Sequence, residues 1–305
     1  MNTKRLDWID IAKGIGIILV VLGHTLVPQV RETGFAGFLW IFIYNFHMPL
    51  FFFLSGYLFE KGLSHYTNKG KFILGKLQYL MLPYLIFSTF AYLFIGFSLN
   101  IPLLAKVLES GGYTAVDLKD AILQIVTYNN HIDKHLWFVF SLFIVFLVNI
   151  LIPKIMKSKP MLIVLLGLYI SKAYVHYYGI LDYVTSDLLF FSLARIAFST
   201  ENKKSINTIV TAVIFVVTNC LYGYFYVTQM PSGVLKGVLY LIRSISSVTG
   251  IMTVCPPQGS GPHLLQRSPP RAAPPAESCP PPARYCRSGR SLRGTGTGAL
   301  LMPRK

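Results

Sequence analysis

Ionisable side chains inside an apolar segment are costly and persist where they meet a cavity or a partner, so those that remain there are the first candidates for chemistry. Lys13 and His24 stand in one such run, Asp10-Ile-Ala-Lys13-Gly-Ile-Gly16-Ile-Ile-Leu-Val20-Val-Leu-Gly23-His24. On a helix the two differ by only about 20° in azimuth, with Gly16 and Val20 on the same stripe, and by about 16 Å along the axis. The stripe leads from a cation at the membrane boundary to a buried imidazole about 20 Å into the span. Imidazole is the side chain that gives and takes a proton near neutral pH.

A second run, Asn45-Phe-His47-Met-Pro49-Leu-Phe-Phe-Phe-Leu-Ser55-Gly56, crosses in the opposite direction. Counting from its inner end puts His47 about 18 Å deep, close to the level of His24, so the two imidazoles are expected to meet. Pro49 removes a backbone donor and leaves a carbonyl without its helical partner one turn earlier, which predicts an opened helix around Asn45. The small pair Ser55-Gly56 permits close helix packing. No third ligand stands at helical spacing from the two histidines, so a metal site is not expected. His131 and His135 with Asp133 have i, i+4 spacing but lie at the outer start of a span, where a solvated interface is the simpler reading.

The elements that must position these residues are long and apolar. Of 305 residues, 53% are hydrophobic and only 13% charged, about half the charged share of a soluble domain. The charges cluster, leaving apolar stretches near 11–29, 37–59, 77–99, 136–153, 161–178, 187–199, 206–227 and 235–253. These predict an all-α, polytopic transmembrane bundle of about eight spans, the sixth short and the eighth interrupted by Arg243 and several serines. Basic residues follow loop parity: Lys4 and Arg5, then Lys61, Lys69, Lys71 and Lys76, then Lys154, Lys157 and Lys159, then Lys203 and Lys204. That pattern places the N-terminus in the cytoplasm of a cell (inner or plasma) membrane. A cleaved signal peptide is not expected, because Asp7 and Asp10 interrupt its basic region and further spans follow at once. The four cysteines form no metal spacing.

The net charge of +16 does not point to nucleic acid, because it has two separate origins. Before residue 255 there are 20 basic and 11 acidic residues, and from there on 8 and 1. At that point the sequence changes character, from Lys, Ile and Phe to Arg, Pro, Gly and Ala. Residues 1–254 therefore read as the transmembrane domain and 255–305 as a low-complexity tail, expected to be disordered for want of apolar surface to bury. The shift resembles a change of codon composition, as a frameshift or joined foreign sequence would produce, so the tail is expected not to be native to the fold.

With these residues in place, the chain resembles the acyltransferase 3 family, and within it the branch of fucose 4-O-acetylase-like proteins. The resemblance rests on Arg5-Leu-Asp7-Trp-Ile-Asp10-Ile-Ala-Lys13-Gly with Gly23-His24, on Asn45 through Gly56, and on His135-Leu-Trp137-Phe138. It implies an integral membrane enzyme moving an acyl group, usually acetyl, from cytoplasmic acyl-CoA to a hydroxyl of a surface or secreted glycan, or of a lipid-linked sugar. It binds no resident cofactor; acetyl-CoA or another acyl-CoA is the donor substrate. By resemblance Arg5, Asp7 and Lys13 belong to the donor side, and His24 is the catalytic base or acyl relay. His47, Asn45 and Ser55 line the same cavity, with Trp137 at its rim. The family's basic pair at the third span is half present, as Lys76 before Leu-Gln-Tyr79. Members typically have about ten spans, so the last two are expected to be missing here. Two other readings use the same polar cavity: a transporter or flippase for a lipid-linked sugar, and an inactive relic of the enzyme.

Overall fold

A computed structural model describes residues 7–26, 34–127, 132, 136–177, 179–197, 207–229 and 231–255. All described elements are helices: α1 Asp7–Thr25, α2 Gly34–Tyr44, α3 His47–Ser64, α4 Lys69–Lys76, a π-helical turn Leu77–Met81, α5 Leu82–Ser98, α6 Pro102–Ser110, α7 Leu118–Thr127, α8 Trp137–Leu151, α9 Pro153–Met156, α10 Lys159–Ser171, α11 Ile180–Ala197, α12 Thr208–Thr228 and α13 Gly233–Val254. Local chemistry explains several starts. The side chains of Asn68, Ser158 and Asn207 cap α4, α10 and α12 by accepting the amides of Lys71, Met161 and Ile209, satisfying donors that have no intrahelical partner. Pro83 has no N–H to continue the i−4 ladder. Just before it the register slips, and the Leu82 amide bonds the carbonyl of Leu77 five residues back.

Five segments are long and apolar enough to cross a membrane: Asp7–Thr25, Gly34–Ser64, Lys69–Ser98, Thr208–Thr228 and Gly233–Val254. Trp137–Leu151 and Lys159–Ser171 are apolar but shorter. Ile180–Ala197 has the length, but it carries Asp182, Asp187 and Arg195. The expected all-helical membrane bundle is therefore present, and five of its described segments have the length and apolarity of a full span. Large apolar side chains face outward, among them Ile17, Ile18, Phe90, Phe97 and Ile209, each more than half exposed. In water this surface would be a liability, and in lipid it is the solvated face.

The centre of the bundle is α3, which packs most extensively on α11, while α12 pairs with α13 and α2 lies on α12. Phe52, Phe53, Phe59 and Phe191 are fully buried at that centre. Gly56 lets α3 and α11 meet backbone to side, since a methyl group there would collide with the carbonyl oxygen of Phe191. A charged clasp closes the same pair at one end. The buried Arg195 guanidinium bonds Glu60 Oε1 at 2.6 Å, donates to Asn149 of α8 and lies 4.5 Å over the Phe59 ring. Lys157 meets the same Glu60 oxygen at 2.7 Å.

Candidate functional site

The predicted break in the second span is real. α2 ends at Tyr44 and α3 begins at His47. Pro49 cannot bond the Asn45 carbonyl, and the hydroxyl of Ser247, on α13, donates to that carbonyl instead. The Asn45 side-chain amide donates to Asn219 Oδ1 at 2.8 Å, and Asn219 in turn donates to the Phe42 carbonyl at 3.2 Å. Side chains from α12 and α13 thus restore the bonds that an opened helix gives up, as hydrocarbon requires.

His47, 2% exposed, stands at the first residue of α3. Its Nδ1 lies 2.9 Å from the carbonyl oxygen of Ile43. A carbonyl only accepts, so Nδ1 carries the proton and Nε2 keeps its lone pair, the form a base needs. The Tyr44 ring meets the His47 ring edge to face at 4.8 Å and the His24 ring at 6.4 Å. The Tyr44 ring is thus shared by the two imidazoles. The two are level: each is 17 residues from the far end of its helix, Asp7 in α1 and Ser64 in α3, or about 26 Å. Gly23 makes the Tyr44 placement possible, because a methyl group there would stand 2.8 Å from the Tyr44 ring.

One expectation needs correcting. His24 is exposed rather than buried, and the buried stripe of α1 is Ile9, Ala12, Gly16 and Gly23. The reason is azimuth and position: Lys13 and His24 share an edge of that stripe, and His24 is the penultimate residue of a helix leaving the bundle. The deeply buried imidazole of the pair is His47.

At the opposite end of the α1–α3 seam, Lys13, Ser55 and Lys76 line one cavity of about 250 Å³ with Phe51, Phe59 and Phe146. Lys76 lies 4.3 Å from the centroid of the Phe146 ring and 5.1 Å from that of Phe72, a favourable seat for a cation. Among the described residues neither Lys13 nor Lys76 has a carboxylate at ion-pair distance. Neither histidine lines this cavity. Phe51, one turn from His47, does, and its ring packs against Gly16.

The sequence-predicted residues therefore fall in two groups. Lys13, Ser55 and Lys76 share the basic cavity; His24, His47 and Asn45 gather around Tyr44 and the break. Trp137, half-buried at the start of α8, stacks on Tyr183 at 4.5 Å and faces Phe52 at 6.5 Å. Asp7 is exposed in the first turn of α1, where a carboxylate complements the helix dipole. Arg5, and likewise His131, Asp133 and His135, lie outside the described residues. No group of three metal-ligating side chains occurs among the described residues.

Sequence reasoning missed Tyr44, Asn219, Ser247 and Arg243. Tyr44 had a usable signal, at i+4 from Trp40, whose ring it stacks on at 4.4 Å, and at i−3 from His47. Arg243 was visible as a charge within a span. Asn219 and Ser247 gave none, since their partners lie far away in sequence.

Apolar helices of this length describe a membrane protein, with a basic pocket at one end of the α1–α3 seam and two histidines at the other. A family model described as an acyltransferase domain matches residues 6–254. The chain belongs to the acyltransferase 3 family and is a membrane acyltransferase. No curated protein and no solved structure matches it.

Proposed function

We propose that the chain transfers an acyl group, acetyl in the simplest case, from acyl-CoA to a hydroxyl of a surface or secreted glycan or lipid-linked sugar. The observation that carries this reading is the α1–α3 seam, with two lysines that have no carboxylate partner among the described residues at one end and two imidazoles around Tyr44 at the other. The lysine end takes the anionic phosphates of the donor. It faces the cytoplasm, because the basic residues Lys61, Lys69, Lys71, Lys154 and Lys157 belong to the same end of the bundle. The donor's thioester arm then follows the seam past Phe51.

In the first step a His24 ring nitrogen attacks the thioester carbonyl; the new C–N bond replaces the C–S bond, and CoA leaves as the thiolate and takes up a proton. In the second step the acceptor hydroxyl attacks the acyl carbon. A C–O bond replaces the C–N bond while His47 Nε2 takes the hydroxyl proton. A hydroxyl is a weak nucleophile at neutral pH, and positioned base action of this kind supplies about 10² to 10⁴ in rate. The test is reconstitution of the full chain in proteoliposomes with acetyl-CoA and a glycan acceptor. His24→Ala should abolish both transfer and the release of CoA. Wild-type transfer by His24→Ala at equal membrane expression overturns the relay, and a wild-type protein that releases no CoA overturns acyl transfer itself.

A further inference from the structure

Three other charged groups inside the bundle have polar side-chain partners. Arg195 has Glu60, Lys172 has Asp182 at 3.1 Å, and Asp187 accepts from Ser141 at 2.5 Å. Arg243 is different. It stands in α13 about 15 Å from the Gly233 end, with no carboxylate at ion-pair distance among the described residues. Its guanidinium lies 5.6 Å from the Tyr222 ring centroid, and Tyr240, one turn earlier on α13, has its ring 6.3 Å from that of Tyr169.

Three buried polar atoms around this point have no hydrogen-bond partner: Arg243 Nε, Ser246 Oγ and Asn45 Oδ1. Ser247 links the backbones of two of these residues, since its hydroxyl reaches the Arg243 carbonyl at 3.0 Å and also the Asn45 carbonyl. One is a donor, one an acceptor and one can be either. A cation kept in hydrocarbon without a fixed counter-charge, beside unpartnered groups of both polarities and three rigid tyrosines, suits a ligand that brings an anion and hydroxyls. Asn45 is two residues from His47 in the chain.

We propose that Arg243, Tyr222, Tyr240, Ser246 and Asn45 form the acceptor subsite, and that the acceptor carries an oxyanion, the carboxylate of an acidic sugar or the phosphate of a lipid-linked one, which pairs with Arg243. This rests on the acyl-transfer reading above.

The experiment uses the purified full chain in nanodiscs with three probes: a uronic-acid oligosaccharide, the same oligosaccharide with its carboxyls reduced to alcohols, and a polyprenyl-phosphate-linked sugar. Thermal stabilisation by each probe is read first, then the acceptor KM with acetyl-CoA as donor. In the wild type an anionic probe should stabilise the protein, and its KM should be at least about tenfold below that of the neutral probe. Arg243→Gln should erase that difference, and Arg243→Lys should retain part of it. Preference for the uronate identifies a carboxylate acceptor, and preference for the lipid-linked sugar a phosphate one; either supports the subsite. An acid-over-neutral preference that survives in Arg243→Gln, or no stabilisation of the wild type by either anion, overturns it. If Arg243→Gln does not fold, Tyr222→Phe combined with Tyr240→Phe keeps the rings and removes the hydroxyls. It should raise the acceptor KM, and an unchanged KM refutes the subsite. Charge-dependent stabilisation without CoA release leaves the anion site standing and removes acyl transfer alone.

Discussion

The His47 ring is held by one hydrogen bond, from Nδ1 to the Ile43 carbonyl, and that bond decides which nitrogen can act. Asparagine places its amide nitrogen near the position of Nδ1, whereas glutamine reaches toward Nε2. His47→Asn should therefore preserve the bond to Ile43 and remove the base. Its acyl transfer should fall by about 10² to 10⁴, with thermal stability close to wild type. CoA release in the absence of acceptor should persist, because the proposed relay gives the first step to His24. Transfer at the wild-type rate by His47→Asn would remove His47 from proton transfer. His24 and His47 were both legible in the sequence, because a histidine in an apolar run is rare and their levels follow from counting turns. Tyr44, which touches both rings, was not. Aromatic residues are common throughout such spans, and nothing in their spacing alone says which one faces a neighbouring helix.

At the scale of elements, the break between α2 and α3 was written in Pro49, whose missing N–H removes one bond and whose ring disfavours the preceding turn. What repairs the break was not legible. Asn219 and Ser247 reach it from helices more than 170 residues later in the chain, and local patterns do not report long-range pairing. Ser55-Gly56 was read as a packing pair, and the contact belongs to Gly56 against α11. With the Phe191 carbonyl directly over its Cα, any side chain forces α3 and α11 apart. Such overpacking costs about 1 to 3 kcal/mol or more, and the displaced α3 carries both His47 and Ser55. Gly56→Val should accordingly lower the thermal midpoint in detergent and depress CoA release together. Gly14, where a methyl group would meet nothing, provides the control, and Gly14→Ala should leave the midpoint unchanged. Equal midpoints for Gly56→Val and wild type would show that the helices part without cost.

For the whole molecule, charge and hydropathy report different things. Hydropathy identified the apolar helices, among which α8 and α10 are short and α11 carries charge, with Asp182, Asp187 and Arg195 turned to partners inside the bundle. Charge, in contrast, is gathered in space. Lys13 and Lys76 share a cavity with Gly62, and Lys157 meets Glu60, so basic residues of separate segments converge. In the proposed orientation that end is cytoplasmic. The opposite surface includes the α6–α7 region, where Ser110 is exposed, while Thr67 is exposed between α3 and α4 on the lysine side. In a background with Cys220, Cys255, Cys279 and Cys286 each replaced by Ser, Ser110→Cys should react with a membrane-impermeant maleimide on intact cells. Thr67→Cys should react only after permeabilisation. Labelling of Thr67→Cys from outside would invert the molecule, set the lysine pocket away from the cytoplasmic pool of acyl-CoA, and leave the proposed direction of transfer without a physical basis.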